Sequence, residues 1–237
     1  MADKQTGKIP NHTKEGKETV EFFKDLDKDA FNTERFIERY AKQLSILFGI
    51  LVIGVLGFFA YQQFIQVPKN EEATKSYLSA QKNLSDGKED IALGGKSAAN
   101  PGFIGTYNDY SSTAAGKLSA YNAGLLEFKK GNYQKAYDLL DNFSSDNKVL
   151  VALKYGAMAD CESNLNKNDE ALSLLDKATS ASDDPYTSYY FTKKAGILAL
   201  ALKKNTDAKK YFSAIDEKYK EYDNGQSDAY IEMTKYY

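Results

Sequence analysis

An uncharged run from Gln43 to Pro68, bounded by Lys42 and Lys69, constrains this chain more than any other stretch. Its centre, Leu44 to Tyr61, reads LSILFGILVIGVLGFFAY. Eighteen helical residues reach about 27 Å, close to the hydrocarbon thickness of a bilayer. Twelve of the eighteen are Leu, Ile, Val or Phe. At roughly −0.3 to −0.6 kcal/mol each, these favour insertion by about 4–7 kcal/mol, an upper figure because Ser45 and the glycines add little. A surface helix of a soluble domain would carry a polar face, which this run lacks. The reading is an uncleaved membrane anchor: the preceding segment is too long for a signal-peptide n-region, and AYQQF follows where a cleavage site would show small residues.

That anchor divides the 237 residues. Residues 1–32 read as a largely disordered cytoplasmic tail, 33–67 as the anchor helix, and 68–237 as a periplasmic domain large enough for its own core. The tail is polar at its start, with Gly7, Pro10 and Gly16, and residues 1–42 carry nine Lys/Arg against nine Asp/Glu. It is not a basic nucleic-acid arm, and the net charge of −2 offers no global case for nucleic acid either. Phe22, Phe23 and Leu26 have helical spacing, which suits a helix on the membrane surface or a transient one. Asn32 is a candidate N-cap for the helix entering the membrane, and Pro68 its stop. Orientation follows cationic residues beside the span. Five precede it within twenty residues (Lys24, Lys28, Arg35, Arg39, Lys42) and three follow (Lys69, Lys75, Lys82), placing the N-terminus in the cytoplasm. Within the span, Ser45, Gly49, Gly54 and Gly57 are candidate contacts for another membrane helix, although glycine is also tolerated in lipid.

Beyond Pro68 the pattern is all-helical, and it repeats. AYNAGLLEFKKGNYQKAYDLLDNF (120–143), YGAMADCESNLNKNDEALSLLDKA (155–178) and TKKAGILALALKKNTDAKKYFSAI (192–215) share one spacing. A small residue (Gly124, Ala159, Gly196) precedes an alanine by twelve positions (Ala136, Ala171, Ala208). A bulky apolar residue follows four later (Leu140, Leu175, Phe212). This is the spacing of a helical hairpin: the small residue and the alanine let two axes approach, and the bulky residue fills space toward the next unit. One hairpin cannot bury its own apolar face, so such units stack. The segments resemble tetratricopeptide repeats: Gly124, Gly131, Tyr133, Ala136 and Leu140 fit that pattern. Asn166 and Lys203 replace the turn glycine in the other two units, and the early tryptophan is missing. Glu71 to Leu84 reads as an opening helix, Gly87 to Gly105 as a looser stretch with a short helix, and Gln226 to Tyr237 as a terminal cap.

The order of pieces resembles the YfgM family of bacterial inner-membrane proteins, over about residues 33–215. ATKSYLSAQKNLSDGK (73–88), a loose stretch and YNDYSSTAAG (107–116) lead into the first clear repeat. The resemblance implies a single-pass inner-membrane protein that is an ancillary partner of the SecYEG translocon and a neighbour of a periplasmic PpiD-like chaperone. It implies no catalytic motif and no cofactor. A scaffold in another envelope assembly, such as outer-membrane protein delivery or secretion machinery, is the alternative. Groove positions carried over from tetratricopeptide folds are Tyr121, Leu125, Phe128 and Lys129, then Asp160, Ser163 and Asn164, then Tyr190, Lys193 and Ile197. Tyr121 and Phe128 suit core packing equally well.

Catalytic chemistry finds little support. The single histidine, His12, lies in the tail, which argues against histidine-based catalysis and multi-histidine metal sites. The single cysteine, Cys161, follows the packing alanine Ala159 by two and suits a structural role. Asp183-Asp184 before Pro185 reads as a turn and N-cap. Gly94-Gly95-Lys96 lacks phosphate-loop spacing. The Asn83 and Asn142 sequons are of a kind common by chance.

Overall fold

The computed structural model describes the backbone of residues 15–236 and the side chains of residues 38–236; His12 lies outside them. Helix α1, Glu15–Tyr61, contains the apolar stretch. Its large apolar side chains are exposed, with Phe48 at 68% and Ile53 at 72%, so this is not a buried core helix. Among the described residues, this is the one helix long and apolar enough to cross a membrane. An added Cβ at Gly49, Gly54 or Gly57 would meet nothing within 4 Å. The Ser45 hydroxyl donates to the Lys42 carbonyl at 2.9 Å.

Two boundary expectations are corrected. α1 runs through Asn32, so no helix begins there, and residues 15–32 are helical. No Gly or Pro stands between Gly16 and Gly49 to interrupt it. Nor does Pro68 end the helix. A π-helical turn, Gln62–Gln66, leads directly into α2, Val67–Ser85, with Pro68 in the first turn. Proline is well suited to a first helical turn, where its missing N–H is not needed.

The chain divides into two compact units at Phe64 and Ile65. In the second, α2 is followed by α3 (Glu89–Gly94), α4 (Gly102–Tyr110), α5 (Ala114–Lys129), α6 (Tyr133–Asp141), α7 (Lys148–Asn164) and α8 (Asn168–Ala181). Then come α9 (Pro185–Ala201), α10 (Asn205–Lys218), α11 (Lys220–Asp223) and α12 (Asp228–Thr234). No strand occurs among the described residues, only one isolated bridge between Ser97 and Asn100. The three recognised hairpins are α5–α6, α7–α8 and α9–α10. An added Cβ on Gly124 would lie 3.1 Å from the Ala136 carbonyl oxygen and 2.8 Å from Leu140. One on Gly196 would lie 3.0 Å from the Phe212 ring. The bulky residue therefore packs first on the small residue of its own hairpin.

The hairpin turn explains a fourth unit that the three-segment comparison leaves out. Gly131, Asn166 and Lys203 all have left-handed backbone, at φ 83°, 62° and 57°. The next N–H bonds back to a carbonyl five residues earlier: Asn132 to Glu127, Lys167 to Glu162, Lys204 to Ala199. This closes the last turn of each first helix. Gly87 (φ 75°) does the same, with Lys88 bonding to Asn83 at 2.8 Å. Five residues on stands the buried Ala92, and twelve before that the buried Ala80. Thus α2–α3 is also a hairpin. Lys96 occupies its bulky position, α3 stops at Gly94, and Phe103 of α4 fills the core with Ala80, Ala92, Ala123 and Leu126.

Lys203 holds a conformation that costs an L-residue about 1–2 kcal/mol, while glycine gives back part of that gain as unfolded-chain entropy. Lys203→Gly is expected to raise stability by about 0.5–1 kcal/mol, seen as a higher urea midpoint. If Lys203→Ala stabilised equally, backbone strain would not be the cause.

Candidate protein-binding face

The first helices of the hairpins present a row of exposed apolar side chains. Taking the small residue as origin, the next residue is Leu125, Asp160 or Ile197, and six before it stands Leu118, Leu153 or Tyr190. Leu125 and Leu153 are each 38% exposed, Ile197 44% and Tyr190 49%. These positions lie about a third of a turn around the helix from the small residues that hold the hairpins shut, so the apolar row stands beside the hairpin contact and reaches solvent.

At α9 the row deepens into a cavity of about 620 Å³. Tyr186, Tyr190, Lys193 and Ile197 line it at i, i+4, i+7 and i+11, which is one face of a helix. Pro185 and Asp184 start that helix: the Asp184 carboxylate accepts from the Thr187 N–H at 2.8 Å and from its hydroxyl at 2.6 Å. These bonds hold the Asp184 pKa below the ordinary carboxylate value. Tyr222, Asn224 and Gln226 supply the facing wall. The wall is fixed by Asp223, which is buried: its carboxylate accepts from Tyr189 Oη (2.9 Å), Ser227 N–H (2.8 Å) and Ser227 Oγ (2.5 Å). Burial pushes the Asp223 pKa up, but the Ser227 and Tyr189 hydrogen bonds and the Lys193 charge outweigh it and bring the value below normal. Lys193 Nζ lies 3.6 Å from Asp223 and donates to Gln226 Oε1 at 2.9 Å.

The predicted groove residues separate into two groups. Tyr190, Lys193 and Ile197 meet in the cavity, and Asp160 borders it through a 2.7 Å ion pair with Lys194, another lining residue. The rest lie outside it. Tyr121 and Phe128 are half-buried: Tyr121 lies 5.1 Å from Phe143 and Phe128 5.3 Å from Tyr133, ring to ring. Burial raises the Tyr121 pKa. Lys129 pairs with Glu89 at 2.5 Å. Asn164 is exposed and donates to the Asp160 carbonyl, while Ser163 is half-buried. Tyr186 and Leu153 were missed, although Tyr186 shares a helix face with Tyr190, Lys193 and Ile197. Nothing in the sequence brings Tyr222 or Gln226 to that face.

No group of His, Cys, Asp and Glu among the described residues could hold a metal ion. Cys161 is buried, and burial pushes its thiol up to about 12, so it is protonated at neutral pH.

A family profile described as a tetratricopeptide repeat-like domain matches residues 34–233. The chain belongs to the tetratricopeptide repeat-like domain family. The match spans the apolar stretch of α1 as well as all four hairpins. Such domains are generally non-catalytic protein-interaction modules. No curated protein and no solved structure matches the chain.

Proposed function

We propose that this protein is a membrane-anchored interaction module serving as an ancillary subunit of the SecYEG translocon, where it helps pass secreted proteins to a periplasmic chaperone of the PpiD kind. The observation that carries the interaction reading is the exposed apolar set Leu125 and Ile197, one past the small residue in the first and third hairpins, with Leu153 and Tyr190, six before it in the second and third. Stacked hairpins extend such a row over several turns, the geometry an extended polypeptide needs. The anchor reading rests on the exposed apolar face of α1, and the orientation on the excess of cations before it. The translocon assignment rests on the resemblance in the order of pieces.

A photo-crosslinking residue placed at Leu125, Leu153 or Tyr190 tests this in native membranes. Translocon subunits, the chaperone or secreted chains are expected as neighbours, with few adducts from the exposed control position Glu170 on α8. Recovery of outer-membrane assembly or secretion-machinery proteins alone would reject the translocon and favour a different envelope scaffold. A cysteine introduced at Glu170 decides the side of the membrane. Labelling by an impermeant reagent on intact, outer-membrane-permeabilised cells is expected, with the buried Cys161 silent.

A further inference from the structure

We propose that the α9 cavity takes an uncharged aromatic side chain from an extended polypeptide, and that the C-terminal turn latched by Asp223 is the wall that completes it. This rests on the interaction-module reading above. The cavity holds about 620 Å³, ample for one or two large side chains. Four of its nine lining residues are tyrosines: Tyr186 is 59% exposed and Tyr190 49%, and the Tyr186 and Tyr222 rings meet edge to face at 6.5 Å. Aromatic pairs favour this offset and edge geometry, and an incoming ring would add to the cluster.

Charge decides what kind of side chain enters. Two lysines line the cavity, but neither amine offers unbalanced charge. Lys194 is paired with Asp160 at 2.7 Å, and Lys193 is shared among Asp223, Gln226 and Tyr189. An acidic ligand would have to displace these contacts, whereas a neutral ring displaces only water. The exposed Asn224 amide at the rim can hydrogen-bond a peptide backbone. Asn224 and Gly225, at φ 48° and 77°, make the sharp turn that brings this wall over α9, and Asp223 holds its base.

The test uses the full chain in lipid nanodiscs and capped, fluorescein-labelled ten-residue Gly/Ser peptides carrying two Phe or two Glu. Anisotropy is expected to show binding of the Phe peptide with little change between about 0.05 and 0.5 M salt, and no binding of the Glu peptide. Tyr190→Ser, at an exposed position, is expected to weaken binding at least tenfold without lowering the thermal midpoint. Asp223→Asn should do the same at a temperature where it remains folded. Gln226→Ala, also exposed, should weaken binding about threefold and serves if Asp223→Asn does not fold. Equal binding of the Glu peptide, or Phe-peptide binding insensitive to Tyr190→Ser, would overturn the proposal. Absence of any peptide affinity would overturn it too, while membrane crosslinks from Leu125 or Leu153 would still uphold the broader interaction role.

Discussion

Asp223→Ala is expected to cost the repeat domain about 3–5 kcal/mol, the range for removing one partner from a buried charged network. The substitution strips the acceptor from the Tyr189 hydroxyl and from both the hydroxyl and N–H of Ser227, and leaves Lys193 without its nearest carboxylate. All of these are buried or nearly so. Asp223→Asn keeps the shape but loses the charge and should cost less. The pH dependence has a definite sign. The folded-state pKa of Asp223 is lowered from its ordinary 3.8, so its contribution is fully present above that value. It is lost as pH falls through the lower folded value. The stability gap between the wild-type protein and Asp223→Asn should therefore narrow below about pH 4. Urea titrations followed by circular dichroism at a series of pH values would show it; a gap unchanged down to about pH 2 would mean that the charge contributes nothing. Glu127 has a lowered pKa too: burial opposes ionisation, but hydrogen bonds from Lys135 and Asn132 prevail. It should supply a second acid-sensitive increment with the same sign.

What could be read from the residues was whatever repeats or runs unbroken. The apolar stretch of α1 needed no context. The small residue, alanine and bulky residue of each hairpin were visible because three copies agree. The fourth copy, Ala80 to Ala92, was hidden by its own interruption: Lys96 stands where a bulky apolar residue belongs, and Phe103 supplies that volume from outside the hairpin. The missing turn glycines at Asn166 and Lys203 looked like departures from the pattern, yet the backbone there keeps the left-handed geometry, because hairpin packing outweighs a local cost of about 1–2 kcal/mol. Pro68 was misread because a proline rule about helix interiors says nothing of a π turn placed just ahead of it. At the candidate site, Tyr190, Lys193 and Ile197 of α9 were legible only through the groove positions that the tetratricopeptide resemblance implies, and Tyr186 was not. The C-terminal wall was not, since its position depends on a buried network between Asp223, Ser227 and Tyr189 that no periodicity encodes.

Phe212→Ala should be comparably costly, at about 3–5 kcal/mol, the usual toll of removing a large aromatic side chain from a core. The ring is fully buried, an added Cβ on Gly196 would touch it at 3.0 Å, and it stacks on Tyr230 of α12 at 5.1 Å. Its loss therefore opens space between α9 and α10 and removes the surface on which α12 rests. Because each hairpin in such a stack leans mainly on its neighbours, the damage should be local. Hydrogen exchange is expected to quicken in α9, α10 and α12 and to stay close to wild type in α5 and α6. Leu140→Ala, at the same repeat position two hairpins earlier, should reverse the distribution, loosening α5 and α6 first while costing about 2–5 kcal/mol. Uniform acceleration along the whole domain in both variants would contradict a chain of nearest-neighbour contacts and point to a single cooperative core. Retention of slow exchange in α12 after Phe212→Ala would mean that Asp223 and the core contacts of Tyr219, Tyr222 and Ile231 suffice to dock the C-terminal segment. In that case the cavity wall would survive the loss of the Phe212 ring, and peptide binding at Tyr190 should survive with it.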